Sequence, residues 1–280
     1  MSYRRKHIHP KIRSLKPKKK FWQNPLFWII FGLLITTIIL YLILFYPKFQ
    51  IKNIEISGNE KVKSEDIQNT ASENLNKKIL TFKIFNIESH SIFITDANNL
   101  LKSLLNTFPK IENVNIQKKF PNSIILTIKE RQPFAIFCQN ADNCFLIDKN
   151  GIIFEQLSRD LRSLDATQST SKDMMVITKE QIDANTFTGK DVIDKNIMDI
   201  IDKVERNLKN NFQIDIKEVL VANPLVFKTS ENWQIYFEAT QDIDPQIIKM
   251  NALLKNEITK DDRKKLQYIY LQYKDRAYYK

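Results

Sequence analysis

The sequence is poor in the residues that build catalytic and metal sites. It holds only three histidines and two cysteines, and His90 alone among the histidines lies beyond the first twenty residues. A site with several histidine ligands is therefore excluded there, and a Ser-His-Asp triad has one candidate base. With only four glycines, the chain also has no glycine-rich phosphate loop. Two cysteines are too few for a disulfide-framed scaffold.

Two weak catalytic signals remain. His90 stands in an irregular stretch, where a solvated loop histidine is the simpler interpretation. Ser169 and Lys172 match the Ser-x-x-Lys of penicillin-binding enzymes, but they lie in a polar loop without an accompanying Lys-Thr-Gly. The acidic pair Asp261-Asp262 suits a turn better than acid–base chemistry. We predict no catalytic residue, no metal and no cofactor, and keep a membrane-anchored cell-envelope enzyme as an alternative.

Charge is missing from one long run, since no Asp, Glu, Lys or Arg occurs between Lys20 and Lys48. The apolar centre of this run, residues 26–46, has 21 residues. A helix of that length reaches about 30 Å, the thickness of the hydrocarbon core of a bilayer. Aromatic residues suited to the two membrane interfaces stand near its ends: Trp22, Trp28, Tyr41 and Tyr46. The sequence predicts a transmembrane helix within residues 21–47.

Acidic residues are absent from residues 1–20, which hold nine of the 43 lysines and arginines. Such a basic tail stays in the cytoplasm, so the rest of the chain is expected outside the membrane. A cleaved signal peptide fits poorly, because no pair of small residues follows the apolar run. Without the tail the charges nearly balance, so the net charge of +11 predicts membrane topology and not nucleic-acid binding.

Residues 49–131 have the pattern of a small α+β domain in the order β-α-α-β-β. Gly58-Asn59 closes the first predicted strand, and Ser64 is the N-cap of the first helix. Pro109 ends the second helix, which spans residues 97–107. Residues 76–94, between the helices, are predicted to be irregular. The strands are predicted at 49–57, 111–118 and 123–131.

Residues 132–280 are rich in predicted strands, with two helices at 191–210 and 244–257. Residues 157–172 are predicted to form a long surface loop. Cys138 and Cys144 face each other across a predicted hairpin, where they could form a disulfide outside the cytoplasm or remain two buried thiols. The strands are predicted at 134–138, 144–148, 152–154, 174–178, 212–221, 225–228, 233–238, 266–273 and 276–279.

This layout resembles FtsQ/DivIB, a family of bitopic bacterial cell-division proteins. The segments that carry the resemblance are 51–59, 62–67, 120–137, 145–154 and 266–279. The resemblance implies an α+β protein with four parts: a cytoplasmic basic tail at 1–20, a transmembrane helix at 21–47, a membrane-proximal POTRA domain at 49–131 and a mixed β domain with flanking helices at 132–280. The chain departs from the family at 270–272, where Tyr-Leu-Gln stands in place of Asp-Leu-Arg.

The function that the resemblance implies is that of a non-catalytic divisome scaffold. Its partners would be small bitopic coiled-coil proteins of the FtsB/DivIC and FtsL type, besides the lipid bilayer, with no nucleic acid and no small-molecule substrate. It would help to localise and regulate septal peptidoglycan synthesis from the plasma (inner) membrane at the division septum. The alternative is a POTRA-bearing translocation or assembly factor.

The closing strands, 266–273 and 276–279, are the predicted partner site. A terminal strand with an open edge can accept a strand of another chain, and tyrosine is favoured at interfaces. The other interpretation is an ordinary terminal strand whose tyrosines are buried against the helix at 244–257. The residues predicted for the site are Leu266, Tyr268, Tyr270, Leu271, Tyr273, Arg276, Ala277, Tyr278 and Tyr279.

Overall fold

The computed structural model describes residues 22, 25–75, 77–81, 86–140, 143–157, 174–180 and 188–280. The chain divides into two units. The first consists of the described residues up to Lys52 with Lys77–Thr95 and Phe120–Asn122; the second consists of Asn53–Asn76, Asp96–Lys119 and Ser123–Lys280. The loop predicted at 157–172 and the Ser-x-x-Lys at 169–172 lie outside the described residues, apart from Leu157.

The first unit begins with one continuous helix, α1 (Pro25–Phe45). It contains no charged residue, and none of its residues is buried. The hydroxyls of its two threonines are hydrogen-bonded within the helix, since Thr36 and Thr37 each donate to the carbonyl of Leu33 at 2.8 Å. The helix is therefore long and apolar enough to cross a membrane, as the charge-free run predicts.

The first unit also contains a hairpin that the sequence did not predict. Strands β2 (Lys77–Thr81) and β3 (Asn86–Ser89) pair antiparallel within the stretch that was predicted to be irregular. The pairing contains a register shift between Lys78 and Leu80. That shift interrupts the strict alternation by which strands are recognised in a sequence, and this explains the wrong prediction.

The second unit opens with the predicted β-α-α-β-β arrangement. Its sheet has the order β1-β5-β4, in which β5 is parallel to β1 and antiparallel to β4. Asp96 caps the second helix by accepting hydrogen bonds from the backbone of Asn98 and Asn99. The elements are β1 (Asn53–Ser57), α2 (Ser64–Leu75), α3 (Ala97–Thr107), β4 (Ile111–Lys119) and β5 (Ser123–Glu130).

A nine-stranded sheet fills the rest of the second unit, in the order β14-β13-β12-β11-β10-β9-β6-β7-β8. The predicted strands are present, but the two closing ones are shorter than predicted, and the one predicted at 212–221 starts at Ile216, because Phe212 still belongs to the preceding helix. The strands are β6 (Ala135–Cys138), β7 (Cys144–Ile147), β8 (Ile153–Leu157), β9 (Val176–Lys179), β10 (Ile216–Val221), β11 (Leu225–Thr229), β12 (Gln234–Phe237), β13 (Tyr268–Tyr270) and β14 (Tyr278–Tyr279).

Within the part of the chain that the structure describes, three helices accompany this sheet: α4 (Lys195–Phe212), α5 (Ile243–Asn256) and α6 (Lys260–Arg263). Asp194 and Asp242 cap α4 and α5, and Gln213 ends α4 in the left-handed conformation. One face of α4 is buried in the core together with large side chains of the sheet. The largest of these belong to Phe137, Phe227, Trp233 and Phe237.

Candidate functional site

The closing strands β13 and β14 form an antiparallel pair in which Ile269 stands opposite Tyr279 and Tyr270 opposite Tyr278. Lys280 continues the ladder, because its N–H donates to the Tyr268 carbonyl at 3.2 Å and its carbonyl accepts from the Tyr268 N–H at 3.4 Å. Antiparallel pairs alternate between bonded and non-bonded positions. The Tyr279 N–H and carbonyl therefore point away from β13.

This outward-pointing edge has no strand beside it among the described residues, because β14 stands at the end of the sheet order. Tyr278 is 47% exposed and Tyr279 is 46% exposed. An edge of this kind presents a donor and an acceptor on its main chain to another strand. The edge consists of the outward backbone groups of Tyr279 with the side chains of Tyr278 and Tyr279, and we call it the closing edge.

The two faces of β13 differ. Ile269 is fully buried with the core, while Tyr268 and Tyr270 are half-buried on the other face. There the ring of Tyr270 lies 4.8 Å from that of Tyr268 and 4.3 Å from that of Tyr236 on β12, between centroids. We call these three side chains the tyrosine row. Burial first, and then the neighbouring Tyr270, raise the pKa of Tyr236, so its hydroxyl is uncharged at neutral pH.

Not every residue predicted for the partner site lies on its surface. Leu266 and Leu271 are buried in the core, so their prediction as surface contacts is wrong. Ala277 is partly buried and packs against the same core. Tyr273 and Arg276 stay exposed beside Tyr278: the Tyr273 and Tyr278 rings are 5.3 Å apart, and Arg276 Nη1 donates to the Tyr278 hydroxyl at 3.3 Å.

Hydrogen bonds of Lys249 and Glu257 tie the closing strands to α5 and to the residue that follows it. Lys249 Nζ donates to the Leu271 carbonyl at 3.0 Å and also to the Tyr273 carbonyl, which fixes the turn between β13 and β14. The Tyr279 hydroxyl donates to Glu257 Oε2 at 3.3 Å. Lys249 was not predicted, because a lysine within a helix carries no signal that it reaches a distant turn. Burial lowers the pKa of Lys249, and the charge of Asp275 opposes that shift.

The other predicted sites lie on other segments of the chain. The side chain of His90 is exposed in the first unit. The structure joins Cys138 and Cys144 by a disulfide between directly opposed residues of β6 and β7. The described part of the chain contains no group of three or more His, Cys, Asp or Glu side chains that could hold a metal ion.

A second set of polar contacts lies where the chain leaves the three-stranded sheet for β6. Arg131 Nη1 forms an ion pair with Asp148 Oδ2, and Arg131 Nε donates to the Pro109 carbonyl at 3.0 Å. The side chains of Arg131 and Asp148 are only 11% and 5% exposed. Asp148 also accepts from the backbone N–H groups of Asn150 and Ile152, at 2.9 and 3.0 Å. We call this set the junction.

The chain is similar to known cell-division proteins. A sequence model of the POTRA domain, FtsQ-type, matches residues 83–131. Cell division protein DivIB of Clostridium tetani is 27% identical over 241 residues, covering 81% of this chain and 79% of that protein. DivIB of Clostridium acetobutylicum is 36% identical over 110 residues, covering 39% and 38%, and FtsQ of Rickettsia prowazekii is 29% identical over 114 residues, covering 41% and 36%.

These likenesses confirm the resemblance to FtsQ/DivIB that the sequence segments carry. They also confirm the α+β fold with an N-terminal apolar helix, a POTRA domain and a strand-rich domain after it. A role in cell division is supported by the names of the relatives.

Proposed function

From the chain's likeness to the DivIB and FtsQ cell-division proteins, we propose that it is a non-catalytic scaffold of the division machinery. It binds bitopic partners of the FtsB/DivIC and FtsL type outside the membrane, and in this way helps to localise and regulate septal peptidoglycan synthesis. The single observation that carries the proposal is the closing edge, where the Tyr279 N–H and carbonyl point away from the sheet.

The closing edge suits the addition of a strand from another chain. In strand addition, main-chain hydrogen bonds supply affinity and side chains on alternate positions supply choice of partner. Tyr278 stands opposite Tyr270, so its side chain continues the face of the tyrosine row, while Tyr279 stands on the opposite face near Glu257. A partner strand would therefore meet an aromatic surface on each face of the sheet, and aromatic residues are enriched at interfaces.

The proposal includes an order of parts along the chain and an orientation. We place a cytoplasmic tail at 1–20, the membrane span at 21–47, a POTRA domain at 49–131 and the partner-binding β domain at 132–280. The excess of basic residues before α1 puts the amino terminus inside. A reporter active only in the cytoplasm should work when fused before Met1 and fail after Lys280; the reverse pattern would remove the orientation and the division role together.

The partner edge is tested by comparing Tyr279→Pro with Tyr279→Ala in the full chain. Both variants lose the tyrosine side chain and its contact with Glu257, but only proline removes the outward N–H. We expect proline to weaken binding of the FtsB/DivIC-like partner about tenfold more than alanine does, because one interfacial hydrogen bond is lost and its acceptor is left unpaired. Affinity is measured by titration with the purified partner.

The thermal midpoint of unfolding is the control in this comparison. The Tyr279 N–H makes no bond within the sheet, so the two variants should unfold within a few degrees of each other. Equal affinity of the two variants would place the partner away from the closing edge. Loss of affinity only in proportion to loss of folded protein would do the same.

A further inference from the structure

Four aromatic side chains form a continuous row in the first unit, directly beyond the end of α1. The ring of Phe49 lies 5.7 Å from that of Tyr46 and 5.2 Å from that of Phe93, between centroids. The rings of Phe93 and Phe120 are 5.4 Å apart. Three segments that are distant in sequence supply these rings, so the fold brings them together. We call Tyr46, Phe49, Phe93 and Phe120 the aromatic ladder.

The aromatic ladder faces outwards. Phe120 is 58% exposed, Phe93 47% and Tyr46 40%. A single exposed phenylalanine is ordinary on a protein surface, but several in mutual contact form a continuous apolar patch. Such a patch is unfavourable in water, because phenylalanine has no polar atom to hydrate. The exposure therefore indicates a surface that another apolar phase covers.

The ladder is fixed to the end of α1 by hydrogen bonds. The last carbonyls of a helix lack partners within the helix. Here Ser91 Oγ donates to the Ile43 carbonyl at 2.6 Å, and Gln50 Nε2 donates to the Leu44 carbonyl at 2.7 Å. Ser91 lies two residues before Phe93, and Gln50 follows Phe49. Hydrogen bonds therefore hold the segments of the aromatic ladder against the last turn of the helix.

The position of the helix end decides what the ladder meets. The 21 residues of α1 span little more than the hydrocarbon core. The last turn of α1 thus stands at a boundary of that core, and the ladder begins where the polar interface begins. Aromatic side chains are enriched at this depth.

Charge near the ladder fits the same location. Lys48 and Lys52 are both exposed, and no acidic residue occurs from Tyr46 to Ile54. Lysines next to a span are attracted to anionic lipid headgroups. Exposed phenylalanines, together with lysines on the segment that follows the span, match an anionic bilayer interface.

We infer that the aromatic ladder is a second membrane contact, seated in the lipid interface beside the exit of α1. It holds the segments around Phe93 and Phe120 against the bilayer surface, in addition to the span itself. The inference rests on α1 as a membrane span and is independent of the closing edge.

The test uses the full chain in vesicles of phosphatidylcholine and phosphatidylglycerol. Both native cysteines are held in the disulfide, so a third cysteine is the only free thiol. Phe120→Cys and Phe93→Cys are each labelled with a nitroxide, and Lys255→Cys on α5 gives the reference for a charged, exposed position. The rate at which each nitroxide collides with a reagent is measured from its spin relaxation. One reagent is oxygen, which concentrates in lipid, and the other is a nickel chelate, which stays in water.

We expect both ladder labels to collide several-fold less with the nickel chelate than the Lys255 label does, and more with oxygen. Nickel access equal to that of the reference would overturn the inference, because the ladder would then face water. Low access to both reagents would also overturn it, and would indicate a protein cover such as a second copy. Each variant is also purified in detergent with its new cysteine blocked. Its circular dichroism spectrum then confirms that the variant remains folded.

Discussion

The junction and the closing edge place polar groups in opposite ways. At the junction, Arg131 and Asp148 are almost completely buried and bind each other, a carbonyl and two backbone N–H groups. At the closing edge, the Tyr279 N–H and carbonyl have no partner strand among the described residues. Buried polar groups must be paired within the protein, whereas exposed backbone groups can bind water until another chain binds. The same molecule therefore pairs its polar groups within the fold in one region and leaves them exposed in the other, where we propose that they bind a partner.

The largest expected effect comes from breaking the junction. Arg131→Met removes one member of a buried ion pair and leaves the Asp148 carboxylate without its cation, so the free energy of unfolding should fall by about 3 kcal/mol. Lys110→Met is the matched control, since its pair with Glu155 is about one third exposed on both sides and should contribute less than about 1 kcal/mol. Urea titration measures both. A smaller loss for Arg131→Met than for the control would contradict the role assigned to the junction.

A second internal carboxylate sharpens the comparison through pH. Glu130 Oε1 accepts hydrogen bonds from the backbone N–H groups of Glu60, Lys61 and Val62, each at 2.9 Å. Burial acts to raise the pKa of Glu130, but these three bonds together outweigh it, and the pKa lies below its ordinary value of 4.5. Glu130→Gln should cost about 2 kcal/mol at neutral pH, because a charged acceptor is lost.

The pH dependence has a definite sign. A lowered pKa in the folded state means that the stabilisation by Glu130 is complete above pH 4.5 and is lost as the pH falls below that value. The unfolding free energies of the native chain and Glu130→Gln should therefore converge below about pH 4.5. A difference that stays constant down to pH 3 would show that charge on Glu130 is not what stabilises the turn at 60–62.

The smallest effect is expected at the closing edge itself. The Tyr278 N–H points towards β13, while the Tyr279 N–H points outwards. Tyr278→Pro should therefore lower the free energy of unfolding by about 1 kcal/mol more than Tyr279→Pro does. The comparison is made by thermal unfolding without any partner. The opposite ranking would mean that the hydrogen bonds between β13 and β14 alternate the other way and that the outward groups are those of Tyr278.

Much of the fold was predictable because its signals are local. The absence of charge marks α1, Ser64 is the first residue of α2, and the helix predicted at 97–107 has the bounds of α3. The β2–β3 hairpin was missed because its register shift breaks the alternation. Leu271 was wrongly assigned to the surface, although the alternation of Tyr268 and Tyr270 with Ile269 and Leu271 separates an outer from an inner face.

The contacts that define the two regions were not predictable in the same way. Arg131 and Asp148 are 17 residues apart, and nothing in the local pattern pairs them. Their contact depends on how β5 leads into β6 and on where the turn after β7 falls. Lys249 is likewise 22 residues from the Leu271 carbonyl that it binds. Sequence periodicity shows which face of an element is buried, but not which distant polar group meets it.

The position of β9 in the nine-stranded sheet sets an order of assembly. Strands β6–β8 pair with near neighbours in sequence, and so do β10–β12, but the two blocks meet only through β9, which is parallel to both β6 and β10. Local pairings form quickly, whereas parallel pairings between distant segments form slowly. A chain that emerges from its amino end therefore completes the first block early and must wait for β9 and β10 to join it to the second. β13 and β14 come after the other strands of this sheet along the chain, and β13 pairs parallel to β12 across the intervening helices, so the closing edge forms only when the other strands of the sheet have been synthesised.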